Sequence, residues 1–395
     1  MDYVLTQISK CVKKVSTWNP KQEPDAEDFP YVDLSSVDKE SKNIALESVE
    51  LVSPADAPSR ARQLIVTGDV LVSTVRPNLN GVALVTKELD GATASTGYCV
   101  LRPEPTKLDS RYLFYWVQSP NFVESMMMQA TGANYPAVSD RIVKKSEIPL
   151  PPLSEQKRIA AILDKADALR RKRQQAIDLA DQFLRSVFLD MFGDPATNPK
   201  KFPVGTIRDM VESANYGTSA KASETIGEYP VLRMGNITYQ GGWDFTDLKY
   251  IDLTEKDLPK YLVYQGDLLF NRTNSRELVG KTAVYDQSEP MAFAGYLVRM
   301  RTNEKGNTHY ISGYLNSAHG KSVLVGMCKS IVGMANINAQ ELQNIKILIP
   351  PVELQHQYKQ IVTALKERMV KHHSSLNELN DLFASLSQSA FAGKL

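Results

Sequence analysis

A run of landmarks in this chain recurs in the same order at a shift of about 199 residues. Gly68-Asp69-Val70-Leu71-Val72 returns as Gly266-Asp267-Leu268-Leu269-Phe270. Gly81-Val82-Ala83-Leu84-Val85 returns as Gly280-Lys281-Thr282-Ala283-Val284-Tyr285, and Thr96-Gly97-Tyr98 as Ala294-Gly295-Tyr296. Ile148-Pro149-Leu150-Pro151-Pro152-Leu153 is echoed by Ile347-Leu348-Ile349-Pro350-Pro351-Val352, and Met191-Phe192-Gly193 by Ala390-Phe391-Ala392-Gly393. Ordered matches at a near-constant offset predict a tandem duplication, so one fold must account for both halves.

Each half opens with about 150 residues of short strand-like runs broken by Gly, Pro and Asn, at 63–67, 69–75, 82–86 and 262–264 among others. A helix is expected at 110–128 and its copy at 309–327. After each Pro-Pro pair a long apolar pattern begins, because proline suits the first turn of a helix. Ile159, Ile162, Ala166, Leu169, Arg173, Ala176, Ala180, Phe183 and Val187 alternate spacings of three and four, a heptad seam with one polar break. The copy runs through Ile361, Leu365, Met369, His372, Leu376, Leu379, Phe383, Leu386 and Ala390, with His372 matching Arg173. At 1.5 Å per residue each helix would reach roughly 57 Å. So narrow a stripe needs a partner, and the matched polar breaks favour the repeat copy packed antiparallel. A coiled coil to another protein is the alternative.

Composition narrows the class. The chain has 395 residues, 43% hydrophobic and 23% charged, as a globular protein of two or more domains would. No run approaches a membrane span, and the start lacks a signal peptide's basic and apolar regions, so a cytoplasmic, non-membrane protein is expected. Cys11, Cys99 and Cys328 are too scattered for a disulfide framework or a metal site. Lys and Arg number 46 against 45 Asp and Glu, so net charge decides little. Its distribution is uneven. Residues 23–56 hold ten acids and two lysines, whereas 141–185 hold eleven basic and six acidic side chains, with Arg170-Arg171-Lys172-Arg173 among them. A duplex would meet the second region and avoid the first, unless these are simply solvated faces.

The paired ending Ile-Pro-Leu-Pro-Pro-Leu-x-Glu-Gln followed by a long helix, at Ile148–Gln156 and in degenerate form at Ile347–Gln355, resembles the specificity (S) subunit of type I restriction-modification systems. The junction Phe188-Leu189-Asp190-Met191-Phe192-Gly193-Asp194-Pro195 is similar to that family's passage from helix to second recognition domain. The resemblance spans essentially the whole chain. It implies an α+β fold made of a tandem repeat of two α/β target-recognition domains, each followed by a long helix, the helices pairing as an antiparallel coiled coil. The domains would be 1–150 and 195–349, and the spacer helices 151–194 and 350–395. It implies that each domain reads half of a bipartite double-stranded DNA target. The helices would set the spacing and dock two methyltransferase subunits, with Gln156, Ile159, Ile162, Leu169, Arg173, Gln355, Ile361, Leu365 and His372 as docking or seam positions. Motor-nuclease subunits would complete the enzyme. S-adenosylmethionine would sit on the methyltransferase subunits, and ATP and magnesium on the motor-nuclease subunits, with no cofactor on this chain.

A search for catalytic motifs leads to a non-catalytic expectation. The Asn/Asp-Pro-Pro-aromatic signature of amino-methyltransferases is missing, since Leu153 and Val352 follow the Pro-Pro pairs. Gly320-Lys321-Ser322 resembles a P-loop end, but Leu315 stands where its first glycine is needed. Asp25, Glu40 and Lys42 match a loose nuclease pattern in polar surroundings that suit a solvated loop better. No Ser/Cys–His pairing arises, because the first histidine is His309.

Base readout needs donors and acceptors projected from loops: Arg toward guanine, Asn toward adenine. One loop carries Arg76, Asn78 and Asn80, and its copy Asn271, Arg272, Asn274 and Arg276. A second carries Thr131, Asn134 and Ser139, mirrored by Val332-Gly333-Met334-Ala335-Asn336 and Asn338. These twelve polar residues form the candidate DNA contact set, with plain turn formation as the competing reading of the Gly-Asn and Asn-Pro pairs. Tyr98 and Tyr296 hold equal places in the repeat, which suggests a shared packing role.

Overall fold

The computed structural model describes residues 3–132, 134–276, 278–328 and 335–395. It divides into two compact units, Met1–Gln174 with Ser374–Leu395, and Gln175–His373. The division passes through the middle of both long helices, Leu153–Phe192 and Val352–Phe391, each of 40 residues. Each unit therefore holds the N-terminal half of one long helix beside the C-terminal half of the other, in antiparallel sense.

The two units share one sheet plan. In the first, strands run in the order Glu50–Val52, Phe29–Val32, Thr93–Ser95, Ala61–Leu64, and in a second sheet Val12–Lys13, Tyr98–Pro103, Val70–Ser73, Val82–Leu84. The second unit repeats both orders with Lys249–Ile251, Tyr229–Leu232, Met291–Phe293, Leu262–Val263, and Val211–Tyr216, Leu297–Thr302, Leu268–Asn271, Thr282–Val284. A parallel pairing recurs as well, Phe29–Val32 with Thr93–Ser95 and Tyr229–Leu232 with Met291–Phe293.

The Gly-Asp landmark has a physical cause. Gly68 and Gly266 take φ of +88° and +97°, a turn that a side chain would strain. Asp69, buried after that turn, accepts from Arg102 Nε at 2.9 Å and Nη2 at 2.8 Å and from the Val66 amide at 2.9 Å. Asp267 likewise accepts from Arg301 at 2.8 and 3.0 Å and from the Tyr264 amide at 3.0 Å. A buried carboxylate is tolerable only when its lone pairs are met, and here a bidentate guanidinium and a backbone amide meet them in both copies.

The expected helices at 110–128 and 309–327 are each broken. The first splits into Ser110–Trp116 and Pro120–Gln129, because Ser119 caps the second piece and Pro120 has no amide hydrogen to continue the first. The copy splits at Ser317 into Thr308–Asn316 and Ala318–Met327. Gly320-Lys321-Ser322 lies inside this last helix, and Lys42 donates to the Asn80 carbonyl at 2.6 Å.

Most of the expected seam is enclosed, with Ile159 and Ala166 buried and Ile162, Arg173, Ala176, Ala180 and Val187 half-buried; Leu169 and Phe183 depart from it. The buried or half-buried row on the first long helix is Ile159, Leu163, Ala166, Arg170, Arg173, Ile177, Ala180, Leu184 and Phe188. Leu169 stays 51% exposed, Phe183 is exposed, and Ile162 is only half-buried. Both rows pass through Ile159, Ala166, Arg173 and Ala180, but the enclosed one takes Arg170 in place of the apolar Leu169, which apolar spacing alone could not anticipate. On the second helix Leu365 and His372 are half-buried as expected, while Val362 replaces the exposed Ile361. Arg170 and Arg171 both pair with buried Asp167, and the Arg170 guanidinium lies 4.5 Å from the Phe383 ring centre. Of the basic run, Arg170 thus reaches across to the second helix, whereas Arg171 pairs within its own.

Gln156 and Gln355 cannot face a partner subunit, because both are buried. Gln156 Oε1 accepts from the Asp109 amide at 2.9 Å, and its Nε2 donates to the carbonyls of Lys107 and Pro151 at 3.0 and 2.9 Å. Gln355 Nε2 donates to the Lys305 and Pro350 carbonyls at 3.0 and 2.9 Å. The Gln of each Pro-Pro motif therefore ties the long helix to the short-helix corner. Gln156→Ala strands a buried amide and two carbonyls and should destabilise the first unit by about 2–3 kcal/mol. Chemical denaturation checks this; an unchanged midpoint would remove the amide from the account.

Candidate nucleic-acid interface

In both units the structure brings the two candidate loops together. In the first, Val75 bridges Ala137, the Arg76 amide donates to the Pro136 carbonyl at 2.7 Å, and the Val138 amide to Thr74 at 2.9 Å. In the second, Thr273 and Asn274 pair antiparallel with Asn336 and Ala335, and the Ile337 amide donates to the Arg272 carbonyl at 2.9 Å. Loops some 60 residues apart in sequence thus form one platform per unit.

An arginine stacked on a tyrosine sits on each platform. Arg76, held in a left-handed conformation at φ +50°, has its guanidinium carbon 4.4 Å from the Tyr135 ring centre, and Tyr135 is largely exposed. Arg272 lies 4.9 Å from the Tyr216 ring centre and donates through Nε to Asn336 Oδ1 at 3.2 Å. The Tyr216 hydroxyl accepts from the Ala339 amide at 2.9 Å, which fixes the ring. A stacked guanidinium keeps its edge donors available while losing rotamer freedom, the arrangement that bidentate recognition of guanine or phosphate requires. Tyr135 comes from the second loop and Tyr216 from the opening strand, so the same pair is built from different sequence positions.

The other candidates divide. Asn78, Thr131, Asn134, Arg276 and Asn336 are exposed around the platforms. Asn274 is half-buried and accepts from the Ser275 amide at 2.8 Å. Asn271 has to be withdrawn, since it is 0% exposed at the end of strand Leu268–Asn271. Asn80 turns inward at φ +44° and donates to the Val117 carbonyl at 3.1 Å, closing a helix end. Ser139 and Asn338 cap the helices Asp140–Lys145 and Ala339–Gln343, so their side-chain oxygens serve backbone amides. Val332-Gly333-Met334 and Ala133 lie outside the described residues.

Tyr98 and Tyr296 part company. Tyr98 is 1% exposed and donates to the Asp33 carbonyl at 3.0 Å, a packing role. Tyr296 is 52% exposed and its carbonyl accepts from the Arg272 amide at 3.0 Å, so it belongs to the second platform. It lines a hollow of about 670 Å³ with Thr218, Lys221, Arg233, Asn236 and Lys249. Sequence reasoning missed Tyr135, Tyr216 and this hollow; an aromatic within three residues of a candidate Arg or Asn loop was the one signal for Tyr135.

Each unit thus carries one such platform on a duplicated sheet plan. The profile of the type I restriction modification DNA specificity domain family matches residues 10–179 and 199–381, and the chain belongs to that family. It is 24% identical over 315 residues to the type I restriction enzyme EcoKI specificity subunit of Escherichia coli K12, covering 75% of this chain and 68% of that one. It is 22% identical over 321 residues to the StySPI specificity subunit of Salmonella potsdam, covering 75% and 67%. The fold matches the S subunit of a type I restriction-modification system from M. genitalium with a TM-score of 0.59 at 15% identity, over 99% of this chain and 96% of that one. Among the described residues no helix is long and apolar enough to cross a membrane.

Because Asn271 is enclosed, Asn271→Ala should lower the stability of the second unit by about 1–2 kcal/mol while leaving the platform's ligand preference intact. Denaturation and duplex binding measured side by side check this; altered preference at full stability would restore Asn271 to the interface.

Proposed function

We propose that the chain is the DNA sequence-specificity subunit of a type I restriction-modification complex, with recognition domains at 1–150 and 195–349 and spacer helices at 151–194 and 350–395. Each platform reads one half of a bipartite double-stranded target. The observation that carries this is the recurrence, in both units, of an arginine stacked on a tyrosine where two loops meet. Arg76 with Asn78 and Asn134 serves one half-site, and Arg272 with Arg276 and Asn336 the other.

The long helices set the gap between half-sites and dock two methyltransferase subunits; a 40-residue helix of roughly 60 Å caps the span near 17 base pairs. Exposed Leu169, Leu179 and Phe183 give the first helix apolar surface outside its own seam. The chain itself performs no catalysis. S-adenosylmethionine belongs to the methyltransferase subunits, and ATP and magnesium to the motor-nuclease subunits. The assembly works on DNA in the cytoplasm.

The test is selection from a randomised duplex pool by the chain assembled with its methyltransferase subunits. Two short motifs with a fixed gap are expected. Arg76→Ala should weaken one motif and Arg272→Ala the other, each by about 1–3 kcal/mol. Absence of any enriched motif, or equal damage to both motifs by either variant, would refute the assignment.

A further inference from the structure

The repeat makes one corner of the second unit conspicuous. Aligned through their caps, Asp109 with Asn307 and Ser119 with Ser317, Arg111 corresponds to His309 and Tyr115 to Gly313. On the long helices Asp164 corresponds to Thr363 and Phe383 to Leu184. The first unit fills this corner. Tyr115 is buried, lies 6.0 Å from the Phe383 ring centre, and donates to Asp164 Oδ1 at 2.7 Å, where Arg111 also pairs at 2.7 Å.

The second unit fills it differently. Gly313 has no side chain, and the Phe188 ring and the Tyr358 hydroxyl take the space over it, each 2.8 Å from where a Cβ would stand. Beside them lies a cavity of about 480 Å³, in the size range of small-molecule sites. Phe188, Tyr358, Val362, Val284 and Leu184 give it an apolar and aromatic wall. Arg185 and Lys321 stand at its polar side, with Lys321 donating to the Tyr239 carbonyl at 2.8 Å. His309 Nδ1 and Asn316 Oδ1, both on cavity-lining residues, are buried with no hydrogen-bond partner among the described residues.

The cavity lining mixes the cations Arg185, Lys321 and Lys366 with the carboxyls of Asp181 and Asp194. Burial and the Arg185 charge depress the Lys321 ammonium to about 8, and burial with Lys366 and Lys359 depresses His309 to about 4. Lys366 is partly met by Asp286 at 3.7 Å, and Asp181 is a half-buried carboxyl held above its usual range by burial. A compact anion beside Lys321 and Arg185 would relieve the like-charge repulsion between them, while a flat ring would cover the aromatic wall.

We propose that this cavity binds a small planar aromatic compound carrying one compact anionic group, a phosphate or a carboxylate, and that it is a property of the second unit alone. The ring packs against Phe188, Tyr358 and Val362. The anion accepts from Lys321 and Arg185, and the neutral His309 and Asn316 side chains serve the ligand's remaining polar atoms. The inference does not rest on the DNA-specificity reading.

Calorimetric titration of the full chain with adenosine monophosphate and with 1-naphthoate separates the two anion sources, and adenosine and 1-naphthalenemethanol serve as neutral controls. At least one anion should bind with a one-to-one endpoint, and its neutral counterpart about tenfold more weakly. Lys321→Gln should weaken the anion by a similar factor; Arg185→Gln, at an exposed position, repeats the test. If neither anion binds at millimolar concentration, or if binding is indifferent to charge and to both variants, the proposal is overturned.

Discussion

A forty-residue helix with a single narrow apolar row cannot bury that row by itself. Each buried Leu or Ile on it contributes about 1.5–3 kcal/mol only if something covers it. In this chain the cover is the matching helix of the second repeat, together with the short-helix corner of the unit. Ile159 and Leu163 share a core with Ala390 and Phe391, and Tyr358 and Val362 share one with Phe188 and Phe192. Neither unit is complete without both halves of the sequence, so the duplication and the helix pairing are a single requirement.

The joint between helix and sheet is polar. The buried amides of Gln156 and Gln355 hold the helix starts to the backbone before the short helices. Tyr112 and Tyr310 donate to the carbonyls of Pro149 and Leu348, both at 2.8 Å, and lock the strand that leads in. The tyrosine contacts and the two bonds donated by each glutamine amide recur in both units. The loops beyond the sheets diverge, and they are where the Arg–Tyr stacks sit. A repeated frame with divergent loop ends lets one architecture carry two different platforms.

Much of this was legible in the chain. The repeat, the strand-rich halves and the two long helices all follow from landmarks and spacing, because duplication preserves turns and buried polar groups. The Gly-Asp landmark was visible, but its partner was not, since Arg102 and Arg301 lie over 30 residues away and carry no motif. The first seam was read correctly except at Leu169 and Phe183, which are exposed, because Arg170, paired with Asp167, takes the enclosed place that apolar spacing gave to Leu169. Among the loop candidates, Arg76 and Arg272 stand at the platforms, whereas Asn271, adjacent to one of them, is enclosed: strand alternation puts neighbours on opposite faces, and a lone residue at a strand end does not declare its face. Tyr216 was invisible because the stack forms between elements far apart in sequence.

The proposed function makes helix length the ruler between the two half-sites, and changing that length interrogates it directly. One heptad would be inserted after Gln174 and one after His373, at the points where the units divide, so that the seam register is kept in both helices. The duplex motifs selected by the assembled complex would then be compared with those of the parent chain. Seven residues add about 10.5 Å, so the account predicts the same two motifs with a gap longer by about 3 base pairs. An unchanged gap, or altered motifs, would contradict it.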